Sequence, residues 1–335
     1  MKNKLLITTA LVGSVAFAGA SFAETKLTGN VEATYKSDSR DLAADQVTGT
    51  SAIGMETNIG VAHTKELDNG MTLKAGMNLE TGNDTDVQAT SDVGYIEVSS
   101  GNFSVHVGQD YGNNLNTVGI PTVGDDYIDA SAASLATNDK DKGEEAHDAL
   151  HIGVAQKFEG GVAWVNYAPA SQKNGANGDS GTADAGGSIM ELGVKASFEG
   201  VSIQLGQQTD QQANESASTN EAKQKFMSIG YSTGPLSVGA AKRTYDAGGA
   251  NASTNDYVNK SYGVTYAVND DLSIGLQYGE ASEGNDTVEE ETTALSVGYS
   301  LGGMGIEFTY AQVDNIGAAS GTNGDGFQIR TITKF

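Results

Sequence analysis

Apolar and polar residues alternate with a period of two along almost the whole chain. Leu27, Val31, Ala33 and Tyr35 fall on one parity, and Thr28, Asn30, Glu32 and Thr34 on the other. Met71, Leu73, Ala75, Met77 and Leu79 repeat the pattern against Lys74, Asn78 and Glu80. Further runs begin at Met190, Val258, Leu272, Leu295 and Met304. Such runs of about ten residues predict half-buried strands. The connections alternate in length. Short ones rich in Gly, Asn and Asp occur at 68–70, 100–102, 159–160, 199–200, 233–235, 269–271 and 301–303, which is tight hairpin chemistry. Long polar ones lie at 37–50, 82–91, 110–147, 169–187, 210–223, 246–256, 281–290 and 313–325. This series predicts about sixteen strands running up and down, with both termini on the short-turn side.

Sidedness separates the two architectures that such a series allows. A soluble sandwich buries its apolar faces in a dry core. Here nearly every strand has one aliphatic or aromatic face and one face of Ser, Thr, Gln, Glu, Lys or Gly. That predicts an all-β fold, a transmembrane antiparallel up-and-down barrel with an apolar outside and a wet inside. Tyr35, Tyr167, Tyr231, Tyr245, Tyr299, Tyr310 and Phe335 lie near strand ends and are candidates for interfacial aromatic girdles. The last residues, Phe327 to Phe335, keep the alternation apart from Ile332. They are predicted to close the barrel antiparallel to Lys26–Lys36, which leaves no free edge.

Composition adds an address. Lys2 and Lys4, the apolar run Leu5 to Ala20 and Ser21-Phe22-Ala23 read as a secretory leader over 1–23, with the barrel over 24–335. Without the leader, 17 basic residues face 43 acidic ones, a charge of −26. Cysteine is absent, so an exported chain relies on its fold and not on disulfides. Catalysis is not expected. There is no GxSxG and no cysteine nucleophile, and the four histidines, His63, His106, His147 and His151, form no triad spacing.

The chain resembles the Gram-negative general porins, above all those of alphaproteobacterial type. "AETKLTGNVEATY" is similar to their opening after the leader, "SVHVGQDYGNN" to the strand entering their third loop, and "HDALHIGVAQKFEGGVAWVNY" to the hairpin after it. The resemblance implies a homotrimer of sixteen-stranded channels in the cell outer membrane, reached through the periplasm. It implies passive diffusion of small hydrophilic solutes and ions. It also implies a long third loop, here 110–149, folded into the lumen as a constriction. Phe335 matches the family's assembly signal, which implies recognition by the outer-membrane assembly machinery. In the family, basic residues on the wall face acids of the loop. Asp125, Asp126 and Asp129 stand mid-loop, and Arg243, Arg330 and Lys74 are among the basic side chains predicted to point inward. The chain has three arginines, the third being Arg40 in the first loop, which departs from relatives with dense arginine clusters. An acid-rich ring favours cations, so a modest cation preference is expected.

Two further motifs have a chemical reading. If Gln109 stands opposite Asp148, His106 stands opposite His151, and the pair could hold a divalent metal or titrate near neutral pH; two separate polar wall residues are the plainer reading. Asp139-x-Asp141-x-Gly143-x-Glu145 loosely resembles a calcium loop without the full spacing, so solvated loop charge is the plainer reading there too. No cofactor is expected, calcium being the one candidate, and no nucleic-acid partner. The competing functions are a surface adhesin-type barrel, which a plugged lumen would favour, and a solute-selective porin, which would need an aromatic ladder along the lumen.

Overall fold

The computed structural model describes residues 23–42, 46–82, 90–115, 120–123, 146, 149–169, 188–211, 221–246, 256–284, 288–316 and 320–335. Among them sixteen strands are found. They are β1 (Ala23–Leu42), β2 (Gln46–Glu66), β3 (Thr72–Gly82), β4 (Thr90–Ser100), β5 (Phe103–Gly108), β6 (His151–Phe158), β7 (Gly161–Ala168) and β8 (Ile189–Phe198). The second half comprises β9 (Val201–Gln211), β10 (Glu221–Thr233), β11 (Leu236–Asp246), β12 (Tyr257–Ala267), β13 (Leu272–Glu283), β14 (Glu290–Ser300), β15 (Met304–Asp314) and β16 (Asn323–Lys334). Each pairs antiparallel with its neighbours in sequence, and β16 pairs with β1, so the sheet is a closed barrel.

The closure has the expected partner and direction, with the pairing running over Asn30–Asp41 and Asn323–Lys334. Lys36 stands opposite Gln328 and Asn30 opposite Lys334. Beyond the last strand residue, Gly29 and Phe335 exchange both main-chain hydrogen bonds at 3.0 and 2.9 Å. A Cβ on Gly29 would come 2.5 Å from the Phe335 ring, so the missing side chain makes room for the terminal aromatic. Seven hairpins are tight. At the one between β8 and β9, Glu199 and Gly200 both have positive φ, 48° and 85°, as a two-residue turn that follows strand twist requires. One predicted loop differs. Residues 37–42 and 46–50, expected as polar loop, are paired strand with Ser37 opposite Ser51 and Leu42 opposite Gln46. Polar composition did not mark a loop there because the register extends past the apolar band.

Polarity is inverted relative to a soluble domain. In β8, Met190 and Leu192 are 48% and 47% exposed, while Ile189 and Glu191, which alternate with them, are fully buried. The same sidedness recurs around the barrel, with Leu205, Met227, Ile229, Tyr262, Leu276 and Leu295 outward and Gln204, Ser228, Gln277 and Ser296 inward. Only a closed barrel lets strands cross lipid with every backbone group paired, and an outward apolar band is what it shows to the hydrocarbon. Phe103, Phe158, Phe198, Tyr231, Tyr266, Tyr299 and Phe335 form an outward aromatic belt at the short-turn rim. Tyr35 and Tyr167 are also outward. Tyr245 is not. It is buried on the inward parity of β11, stacked on Tyr257 at 5.2 Å.

Candidate functional site: the lumen and its third loop

The chain between β5 and β6 enters the barrel at its first turn. Asp110 and Gly112 take left-handed φ values of 48° and 96° and swing the backbone inward from the end of β5. From there its described residues cross the inner wall strand by strand. Asn166 on β7 donates to the Asn113 carbonyl at 2.7 Å, and Gln204 on β9 donates to the Asn114 carbonyl at 3.2 Å. Leu115, 1% exposed, packs with Ile120, Ala155, Trp164, Phe226 and Ala241 in a dry cluster. The returning arm is held too. The Ala146 N–H donates to Gln208 at 3.1 Å, and Ala146 and Ala149 pack on Ala168 and Ile189.

The wall beneath this path is cut to fit. A Cβ on Gly206 of β9 would come 2.0 Å from Leu115. One on Gly263 of β12 would come 2.5 Å from the Pro121 carbonyl oxygen. Gly275 of β13 and Gly298 of β14 would meet Val123 at 3.1 and 2.9 Å. The inward parity thus supplies glycine where the loop lies and an amide where its backbone needs a partner. Glu191 anchors the same region: its Oε1 accepts from the Trp164 indole at 2.7 Å and from Asn166 at 3.1 Å.

At the loop's root, Tyr111 stacks on Tyr95 with centroids 3.7 Å apart and donates to Glu97 at 3.2 Å. Burial first, then the charge of Glu97, pushes the Tyr111 hydroxyl well above its ordinary pKa, so it remains a donor at any physiological pH. Glu97 also meets Lys74, its partner across β3 and β4, at 3.4 Å.

The sequence-predicted residues separate into two settings. Arg330 points inward and takes Glu32 with two nitrogens, Nε and Nη2, each at 2.6 Å, with Glu307 3.5 Å away on the other side. It and Lys74 lie on the part of the wall the described loop residues leave uncovered. Arg243 also points inward but is buried under the loop. Its guanidinium sits 5.9 Å from the Phe226 ring centroid, and Nη2 donates to the Leu115 carbonyl at 3.4 Å. It supports the loop's first arm. Asp125, Asp126 and Asp129, and the run Asp139 to Glu145, lie outside the described residues.

His106 and His151 do meet, but by a different register. His106 stands opposite Gly153 and His151 opposite Gly108, so the rings meet on the diagonal. Their Nε2 atoms are 3.0 Å apart and the rings are edge to face at 89°. The Ala149 carbonyl, which can only accept, is 3.0 Å from His151 Nδ1. His151 therefore carries a proton on Nδ1, and the two Nε2 atoms share one proton between them. Among the described residues no group of three or more His, Cys, Asp or Glu is placed to hold a metal ion.

Sequence reasoning missed the seat itself. Its signal was present as inward-parity glycines, of which Gly206, Gly263, Gly275 and Gly298 on β9–β14 face the loop. It also passed over Lys242 and Lys260, which fall on the outward parity of their strands.

Residues 8–318 match the Gram-negative porin family. No curated protein sequence matches the chain. Among solved structures the chain is similar to an anion-selective porin from Comamonas acidovorans, at 16% identity and a TM-score of 0.67, over 94% of this chain and 100% of that one. It is also similar to engineered variants of the Rh. blastica porin. One has 13% identity and a TM-score of 0.61, and another 14% and 0.62, each over 93% of this chain and 100% of the other. At these identities the likeness concerns the fold.

Proposed function

The chain belongs to the Gram-negative porin family and is an outer-membrane channel protein, and we propose that it is a general diffusion porin of modest cation preference. Small hydrophilic solutes and ions pass along the arc of wall from β15 through β16 and β1 to β4. The observation that carries this reading is the charge on that arc. Glu24, Glu32, Glu56, Glu66, Glu80, Glu97 and Glu307 sit on its inward parity, against Lys26, Lys36, Lys74, Arg330 and Lys334. Arg330 is shared between Glu32 and Glu307, and Lys74 is taken by Glu97, so acid exceeds base where the wall is open. Acids lining a narrow passage favour cations, and in a low-dielectric wall they are screened less than loop-tip charge. Asp125, Asp126 and Asp129 remain the proposed contribution of the loop, with 110–149 as the constriction.

General diffusion is favoured over a solute-specific track. Among the described residues the inward aromatics Trp164, Phe226, Tyr245 and Tyr257 are buried under the loop or against each other, and Tyr95 is stacked on Tyr111 at the loop's root, so they offer no ladder to a passing solute. The working unit is a homotrimer, made after removal of residues 1–23 and inserted by the outer-membrane assembly machinery reading Phe335. The seat of that ring on Gly29 supports its outward presentation. Phe335→Asp should lower the outer-membrane level of folded trimer about tenfold, leaving the conductance of molecules that do assemble unchanged; wild-type levels under strong expression would remove the signal role.

The test of function is the reversal potential of single channels in a planar bilayer under a KCl gradient. A potential of cation-preferring sign is expected. A folded barrel that passes no current would remove the channel reading, and an anion-preferring sign would remove the charge argument.

A further inference from the structure

The outer wall has one stretch that its apolar pattern does not account for. Near the long-loop ends of β10, β11 and β12, the outward parity carries Lys223, Lys225, Lys242 and Lys260. Met227 stands opposite Lys242, and Lys242 stands directly opposite Lys260. Like charges in that relation repel, and more strongly beside hydrocarbon. Lys260 is compensated by Glu280 at 2.7 Å and Glu289 at 3.8 Å, and Lys223 by Glu221 at 3.2 Å. Lys225 and Lys242 are exposed and make no ion pair or hydrogen bond among the described residues. With no acid among the described residues paired to them, Lys225 and Lys242 leave two positive charges on neighbouring strands that an anion from outside the protein would neutralise.

A groove of about 370 Å³ begins at Lys242 and Lys260 and runs toward the short-turn rim. Its floor is Ala240, which stands between Ile229 and Tyr262 in the register. Ile203, Leu205 and Met227 complete its walls. The groove exists because the central outward residue is alanine where its neighbours are large. Along β11 the lining runs from Ala240 to Lys242, about 7 Å at strand rise, room for the part of an acyl chain next to its headgroup. A snorkelling lysine at the interface explains one such residue on any strand. Here Lys242 stands at the head of an apolar slot, with Lys225 on the diagonal from it on β10.

We propose that this groove binds a phosphate-bearing membrane lipid. One acyl chain lies over Ala240 between Ile229 and Tyr262, and the phosphate bridges Lys225 and Lys242 with Lys260 alongside. Charge complementarity selects the headgroup and the slot selects a chain. The inference rests on the outer face meeting lipid and not on conduction, so a barrel that fails to conduct leaves it standing.

Native mass spectrometry of the folded, detergent-purified protein tests it, with titration by dimyristoyl phosphatidylglycerol, dimyristoyl phosphatidylcholine and inorganic phosphate. The anionic lipid should bind about tenfold more tightly than the zwitterionic one, the equivalent of one lost charged contact, and inorganic phosphate should not be retained. Lys225→Gln with Lys242→Gln should reduce the anionic lipid to the zwitterionic level, and Lys242→Arg should retain the preference. Ala240→Phe, which fills the slot from the lipid side, should weaken both lipids. Equal binding of the two lipids would overturn the proposal. So would retention of phosphate without lipid, which makes this an anion site, or loss of oligomer on Ala240→Phe with lipid binding intact, which makes the groove a contact between copies.

Discussion

Two arcs of the same inner wall have been put to opposite uses. From β7 to β14 the inward side chains that meet the third loop are mostly small or neutral, among them Gly206, Gly263, Gly275, Gly298, Ala241, Gln204 and Gln208, and the charged Arg243 is held on the Leu115 carbonyl. From β15 to β4 they are long and charged: Glu307, Arg330, Glu32, Lys74 and Glu97. The strands of both arcs have the same alternation and the same outward apolar face. What differs is the volume and charge at inward positions. Glycine lets a loop backbone lie against the sheet, and glutamate with arginine keeps water and ions there.

Exchanging the character of the two arcs should have the largest effect. Gly206→Leu places carbon where Leu115 now sits, and overpacking of that kind costs about 1–3 kcal/mol. The loop should lift into the lumen, reduce single-channel conductance about twofold or more, and become cleavable by added protease. Gly54→Leu is the control on the other arc. Gly54 points inward on β2 with nothing within 4 Å of its would-be Cβ. It should fold with wild-type loop protection. Equal protease sensitivity in the two variants would erase the distinction between the arcs.

Arginine replacement should give a smaller but directional effect. Arg330→Gln releases Glu32 and Glu307 in the open passage, so the reversal potential should move further toward cations. The urea midpoint should fall by the equivalent of about 1–3 kcal/mol for the charged hydrogen bonds lost. Arg243→Gln should shift the reversal potential less and loosen the loop instead, because its guanidinium is buried beneath Leu115. The smallest shift, in the same direction as Arg330→Gln, is expected from Lys74→Gln, whose side chain is 43% exposed and screened by salt.

Much of this barrel can be read from residue order. A period of two, hairpin turns and an apolar parity define strands, their number and their sidedness, because each follows from local chemistry. The closing partner could be read too, since Phe327 to Phe335 had only one edge left to pair with. Three things could not. The extension of β1 and β2 through 37–50 depends on β16 being alongside to pair with polar residues. The diagonal meeting of His106 and His151 depends on a register that alternation fixes only to within two residues. The role of Arg243 depends on the path of the loop over it, which parity alone cannot give: parity put Arg243 and Arg330 on the same face, and packing gave one to the loop and the other to the passage.

The central claim is that ions pass along the β15–β4 arc and not beneath the loop. The chain has no cysteine, so single cysteines report without background. Gly54 lies level with Arg330 through Thr34 in the register, and Ala241 lies under Leu115 and Ile120. With Gly54→Cys and Ala241→Cys channels in a planar bilayer, a charged methanethiosulfonate reagent should lower the current through the first in discrete steps and leave the second unchanged. Rapid modification of Ala241→Cys with Gly54→Cys silent would place the passage on the other side of the barrel and contradict the account.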